Sequence, residues 1–164
     1  MRNLFILLFV FALSLGANAQ APLAEGAFQI NAGLGATRGA IPLSVGVDYG
    51  LMPDITVGGE LNFWSYRNRI VFSEYRFTVI GVSANANYHF NTIADLPSDI
   101  DVYAGLNLGF YVLSSSFAGA GSSNLGLGGQ LGGRYFFTDN VAVLLELGGG
   151  TFYSTGKIGV TFLL

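Results

Sequence analysis

His89 is the only histidine in the chain, and cysteine is absent. Triad catalysis needs a hydroxyl and a carboxylate at the two ring nitrogens of a histidine. The sequence places neither a serine nor an acidic residue beside His89. Without cysteine there is no thiol nucleophile, no disulfide framework and no Cys-ligated zinc. Asp95, Asp99 and Asp101 lack the spacing of a calcium loop. Gly126-Leu127-Gly128-Gly129 has the look of a phosphate-cradling loop, but Leu131 takes the last glycine position of the dinucleotide fingerprint and no helix follows. No catalytic residue, metal site or cofactor is therefore expected. The remaining chemistry is ion pairing, by Glu60, Arg134, Glu146 and Lys157, and it depends on the elements that carry them.

The chain has 164 residues, of which 51% are hydrophobic and only 10% charged, with a net charge of −3. An average soluble domain carries about 25% charged residues, so solvating charge is scarce. Disordered chains are poor in hydrophobics and rich in charge, which this one is not. A basic footprint for nucleic acid is missing too. The length suits one domain.

Met1-Arg2-Asn3 forms a short positive region, and Leu4 to Leu15 is apolar except at Ser14. Ala17-Asn18-Ala19 then offers the small-x-small pattern of a signal-peptidase site. Residues 1–19 are read as a cleaved signal peptide and 20–164 as the mature domain. The apolar run is shorter than the roughly 20 residues of a spanning helix. No later apolar run is long enough either.

From Phe28 onward the chain alternates with period two, the signature of strands. Phe28, Ile30, Ala32, Leu34 and Ala36 share one face; Gln29, Asn31, Gly33, Gly35 and Thr37 share the other. Seven more segments follow. Counted by twos, their apolar faces run Leu43 to Tyr49, Ile55 to Phe63, Ile80 to Phe90, Val102 to Val112, Leu125 to Phe137, Val141 to Leu147 and Ile158 to Leu164. No charged residue lies on any of them. The opposite faces hold Asp48, Glu60, Asp101, Arg134, Glu146 and Lys157 among Asn, Ser, Gln and Gly.

A soluble sandwich or lipocalin-like barrel would turn those polar faces to water, where surfaces carry about 25–35% charge. Here they are mainly Gly and Asn. Glycine weakens a strand unless the space is needed, and a narrow barrel interior needs it. The apolar faces are therefore placed outward against lipid. Closing the barrel pairs every backbone group internally. The expected fold is all-β: an antiparallel up-and-down transmembrane barrel of eight strands, with about 18 residues per strand and connection, enough for spans of about 9–11.

Short turns at Leu51-Met52-Pro53-Asp54 and Thr138-Asp139-Asn140 alternate with longer loops at Arg38 to Pro42, Arg67 to Ser73 and Ser114 to Ser123. Transmembrane barrels have short periplasmic turns and longer external loops. Asn91 to Ser98 breaks this rule by being long on the short-turn side. Phe28, Tyr49, Tyr88, Phe90, Tyr135, Phe137 and Phe162 face outward at the turn end, and Phe63 and Phe110 at the other, as interfacial girdles require.

Glu60, Arg134, Glu146 and Lys157 are then luminal, where an isolated charge is costly. Arg134 and Glu146 stand on adjacent strands near diagonal register. Eight strands enclose an interior just wide enough to be filled by side chains, so a structural plug is expected; a salt-bridge gate in a narrow porin-like channel is the alternative. Arg38, Arg67, Arg69 and Arg76 gather at the loop end, while Asp54, Asp95, Asp99, Asp101 and Asp139 lie towards the turns. Arginine matches phosphate bidentately, so those four are candidate contacts with lipopolysaccharide. A lipid A-modifying enzyme would carry its catalytic groups near the loop end, and His89 lies at the other.

In pattern, length and ending, the chain resembles the small eight-stranded outer-membrane proteins, the outer membrane protein beta-barrel domain family exemplified by OmpX and the OmpA barrel. The family's C-terminal recognition signal reads polar, Gly, two free positions, hydrophobic, free, hydrophobic. Gly159, Phe162 and Leu164 match it; Ile158 stands where a polar residue is usual, and the chain ends in Leu rather than Phe. The resemblance implies location in the outer membrane of a Gram-negative bacterium, with outer-membrane lipids and the barrel-assembly machinery as partners. It also implies a monomer with a structural or interaction role rather than an enzyme.

Overall fold

In the computed structural model the described residues are 21–37, 39–70, 73–115, 121–151 and 154–164. The expected signal peptide lies outside them. Eight strands follow in order: β1 (Phe28–Ala36), β2 (Leu43–Met52), β3 (Ile55–Ile70), β4 (Ser73–His89), β5 (Ile100–Ser115), β6 (Ser122–Phe136), β7 (Val141–Gly150) and β8 (Ser154–Leu163). A single helical turn, α1 (Asn91–Ala94), precedes β5. Each strand pairs antiparallel with the next, and β8 returns to β1 through register partners such as Ala32↔Val160, so the barrel is closed.

Alternation dictates the two faces. Even residues of β5 point out and odd ones in, and Leu106, Leu108 and Phe110 are exposed while Tyr103 and Tyr111 are buried. The same parity holds on all eight strands as the period-two reading expects. On β5 the outward apolar set from Val102 to Val112 spans about 26 Å of height at a tilt of about 40°, against a typical apolar band of about 25 Å. At the turn end the outward rings pair up: Phe28 and Tyr49 lie 4.9 Å apart, Tyr88 and Phe90 5.4 Å.

Glycines make room for the largest luminal side chains. A Cβ added at Gly132 would fall within the Tyr103 ring, and one at Gly81 within that of Tyr111. Gly109 lies on the other side of Tyr111 in the same way, its added Cβ 2.5 Å from the phenol oxygen. These three glycines are the sockets of the two tyrosines.

Two regions add to the sequence reading, the first by correcting it. Arg67 to Ile70, Ser73, Ser114, Ser115, Ser122 and Ser123, read as loop, belong to strands, because β3 to β6 run 15 to 17 residues whereas β1, β2, β7 and β8 have 9 or 10. Half of the barrel wall thus rises beyond the other half. Along this extension the polarity inverts. Ser65, Arg67, Arg76 and Ser114 are exposed on the outer face, while Tyr66 and Phe77 stack inside at 5.3 Å. The second region is the long connection from Asn91 to Ser98, which folds across the turn end. Asn91 donates to the Ile100 carbonyl at 2.6 Å and Thr92 to Asp54 at 2.8 Å. Asp54 takes a left-handed backbone, φ 61°, which aspartate tolerates in tight turns.

Apolar side chains seal the turn end and cluster at the loop end. At the turn end Ala21, Leu23, Phe136, Ala142 and Leu163 form a cluster, packed against Ala27. The leading segment is tied there by bonds from Ala21 N–H to Ser98 O (3.2 Å) and from Gly26 N–H to Gly50 O (2.9 Å). At the loop end Trp64, Val79 and Tyr111 cluster beneath Ala40, Tyr66 and Leu113.

Candidate functional site

Between these two clusters the lumen is polar, and it is organised by two groups of ion pairs. Nearest the turn end is Arg134. It donates from Nη1 to Asp101 Oδ2 at 2.6 Å and from Nη2 to Asp48 Oδ2 at 3.2 Å. Asp101 is the register partner of Arg134 across β5 and β6, whereas Asp48 reaches it through the lumen from β2. Gln29 (2.9 Å) and Asn31 (2.7 Å) also donate to Asp48.

The second cluster surrounds Lys157. Its Nζ lies 2.5 Å from Glu60 Oε2 and 2.9 Å from Glu146 Oε1. Lys157 and Glu146 are register partners on β8 and β7. Tyr103 joins the two clusters. Its hydroxyl donates to Glu146 Oε2 at 2.6 Å, and the Arg134 guanidinium sits 4.3 Å over its ring.

The diagonal Arg134–Glu146 approach is taken up differently. Glu146 stands opposite Gly132, and Tyr103 occupies the space above that glycine. Each cation consequently serves two carboxylates, and neutral donors complete the shells. Gln29, Asn31, His89 and Tyr103 supply further hydrogen bonds to these carboxylates. Buried carboxylates require such partners.

His89 lies in a further constellation. Its Nδ1 is 2.6 Å from Asp101 Oδ1, and its Nε2 is 3.0 Å from Thr56 Oγ1. This is the connectivity of a hydroxyl–imidazole–carboxylate triad, with threonine in the nucleophile's place. Parity alone puts Thr56 in the lumen; its proximity to His89 needs the register that pairs Thr56 with Asn87. A nucleophile must reach a substrate, however, and Thr56, His89 and Asp101 have exposures of 0%, 0% and 2%. Asn87 also donates to the Thr56 hydroxyl at 3.3 Å. The trio acts as a hydrogen-bonded floor.

Above this floor lies a cavity of ≈ 50 Å³ bordered by Asn31, Ser44, Asn62, Ser83, Asn107 and Lys157. It does not reach Thr56 or His89. Gln130 bonds to Asn87 at 2.7 Å and Asn107 to Gln130 at 3.1 Å, an amide chain along one wall. Asn62 Nδ2 and Arg134 Nε are buried without a protein partner. The chamber is large enough for a few waters that could meet such donors.

The remaining predicted residues lie elsewhere. Arg67 and Arg76 are exposed register partners on the outer face of β3 and β4. Arg69 follows two residues beyond Arg67 on β3, and Arg38 lies outside the described residues. Gly159 abuts the β1 backbone, where an added Cβ would meet Ala32 O. Phe162 pairs with Val141, and Leu164 N–H donates to Phe28 O at 3.0 Å. Among the described residues no group of three or more His, Cys, Asp and Glu could hold a metal.

The sequence matches no protein-family model and no curated protein. Solved structures do match in shape. The N-terminal β-barrel domain of Pseudomonas aeruginosa OprF is similar over 85% of this chain and 98% of its own, at 16% identity and a TM-score of 0.60. For the outer membrane protein OprG of the same organism the values are 87%, 97%, 10% and 0.65. Neisserial surface protein A gives 84%, 94%, 18% and 0.55. The chain has the fold of the small eight-stranded barrels found in bacterial outer membranes.

Proposed function

We propose that this is an integral outer-membrane protein with a structural or interaction role, a filled lumen and no enzymatic activity. One observation carries the reading: a charge-free apolar band encircles a lumen whose charges are paired. In lipid that arrangement is stable, whereas in water the band would be a very large exposed apolar patch. Export by a signal peptide ending at Ala19 and assembly through Gly159, Phe162 and Leu164 belong to the same reading, as does a monomeric state. Surrounding lipid and the assembly machinery are its partners.

Two measurements test it. In detergent, unheated and boiled samples should migrate differently on an SDS gel; identical mobility with aqueous solubility overturns the membrane assignment. In planar bilayers, wild type and Glu146→Ala should both lack conductance. A narrow channel is the second reading, supported by the polar chamber and its two unpartnered donors. Steady unitary currents from the wild type would favour it.

A further inference from the structure

The seal at the turn end has two sources. Phe136, Ala142 and Leu163 belong to β6, β7 and β8, whereas Ala21 and Leu23 come from the segment before β1. That segment folds back through Ala24-Glu25-Gly26-Ala27, a turn closed by Ala27 N–H to Ala24 O at 3.1 Å. Gly26 holds its third position at φ 83°, as a type II turn requires. Ala24, Glu25 and Gly26 are exposed, while Ala21 and Leu23 on the arm beyond the turn are buried.

The barrel carries a seat for this arm. Gly50 has luminal parity near the end of β2, and a Cβ added there would run into the Ala24 carbonyl. Its backbone accepts from Gly26 N–H at 2.9 Å and donates to Ala27 O at 3.0 Å. A side chain at position 50 and a seated arm therefore exclude each other. At its far end the arm is held by Ala21 N–H to Ser98 O at 3.2 Å. Backbone bonds at its two ends and the apolar contacts of Ala21 and Leu23 thus hold the arm, whereas continuous ladders hold the strands. An element held so lightly opens locally while the rest stays folded.

The arm covers the charged end of the lumen. One luminal step inward from Phe136 and Leu163 stand Arg134 and Thr161, and Arg134 also borders the polar chamber. We infer that Ala21–Gly26 is a fold-back stopper that swings out at Gly26 and admits water and small ions from the turn end to the Arg134 layer, while β1 to β8 remain closed. This rests on the membrane-embedded barrel proposed above and gives it a moving part.

The test uses the full barrel in nanodiscs, where both ends can be reached, with a single cysteine at Ala142, which is 0% exposed. Its reaction rate with a small charged methanethiosulfonate is compared with that of a cysteine at exposed Ala94. The seated arm should keep the Ala142→Cys thiol far slower. Gly26→Ala should speed it about tenfold, the equilibrium equivalent of placing a side chain in the left-handed region. The added Cβ meets nothing within 4 Å, so this change acts on the turn alone. Gly50→Val should speed labelling further by evicting the arm. A control cysteine at Val79, 2% exposed at the loop end, should stay protected throughout. Rapid labelling of Ala142→Cys with the arm intact overturns the stopper, and so do rates that neither substitution changes. Equal acceleration at Val79 would mean a barrel loosened as a whole and would overturn it too. If Gly50→Val does not fold, Gly26→Ala decides by itself. The heat-dependent gel shift reports the membrane barrel separately. Its loss in the parent protein counts against the proposed function, and an intact shift with unresponsive labelling counts against the stopper alone.

Discussion

At the scale of single residues, Lys157 is the shared cation of Glu60 and Glu146. Lys157→Met should leave two buried carboxylates facing one another. Removing one partner from a buried ion pair costs about 3–5 kcal/mol, so the urea midpoint of the folded barrel in vesicles should fall clearly. Unchanged stability would show that the cluster is hydrated rather than interdependent. Gly132→Ala tests the socket of Tyr103 by overpacking, which costs about 1–3 kcal/mol. Most of that cost should vanish in a Tyr103→Leu background, and additive effects of the two changes would refute the socket. Parity put Arg134, Glu146, Glu60 and Lys157 on the luminal face from sequence. Their partners were harder to read, because register pairs Arg134 with Asp101 but contact with Asp48 crosses the open lumen. Tyr103, which parts Arg134 from Glu146, left its trace in the sequence as Gly132.

At the scale of elements, the eight strands were legible up to the membrane boundary and not beyond it. Alternation of apolar and polar residues marks a strand only while one face meets lipid and the other the lumen. Past Phe63 and Ile80 the outer face turns polar and the inner face aromatic, so the pattern changes sign and Arg67 to Ser73 resembles a loop. Backbone pairing continues regardless. The chain lacks cysteine, which makes the boundary directly measurable. A cysteine at Ser114 should react with a membrane-impermeant maleimide in intact vesicles, and one at Leu108 should not. Equal reactivity would misplace the boundary. The Asn91–Ser98 connection owes its length to docking, a tertiary role that local sequence does not announce. It meets the leading segment at the turn-end seal, where Leu23 is 4% exposed. Leu23→Ala should cost about 2–5 kcal/mol and speed amide exchange in the Ala21–Ala27 segment. Unaltered exchange there would show that the seal does not depend on Leu23.

At the scale of the whole molecule, the barrel is polar lengthwise and lopsided in height. Its acidic end carries the docked Asn91–Ser98 connection and the seal; its other end carries the raised β3–β6 wall. This unequal wall was invisible to a count of about 18 residues per strand and connection, which averages long strands with short ones. Lys157 gives the same architecture a temporal side. The counter-ion for Glu60 and Glu146 resides on the last strand, ninety-seven positions after Glu60. A growing sheet that lacks β8 therefore has open edges and, in its prospective interior, two carboxylates without their lysine. Closure removes both penalties in one step. The order of the chain thereby disfavours half-built barrels as resting states, because Glu60 on β3 meets Lys157 on β8 only when the barrel closes.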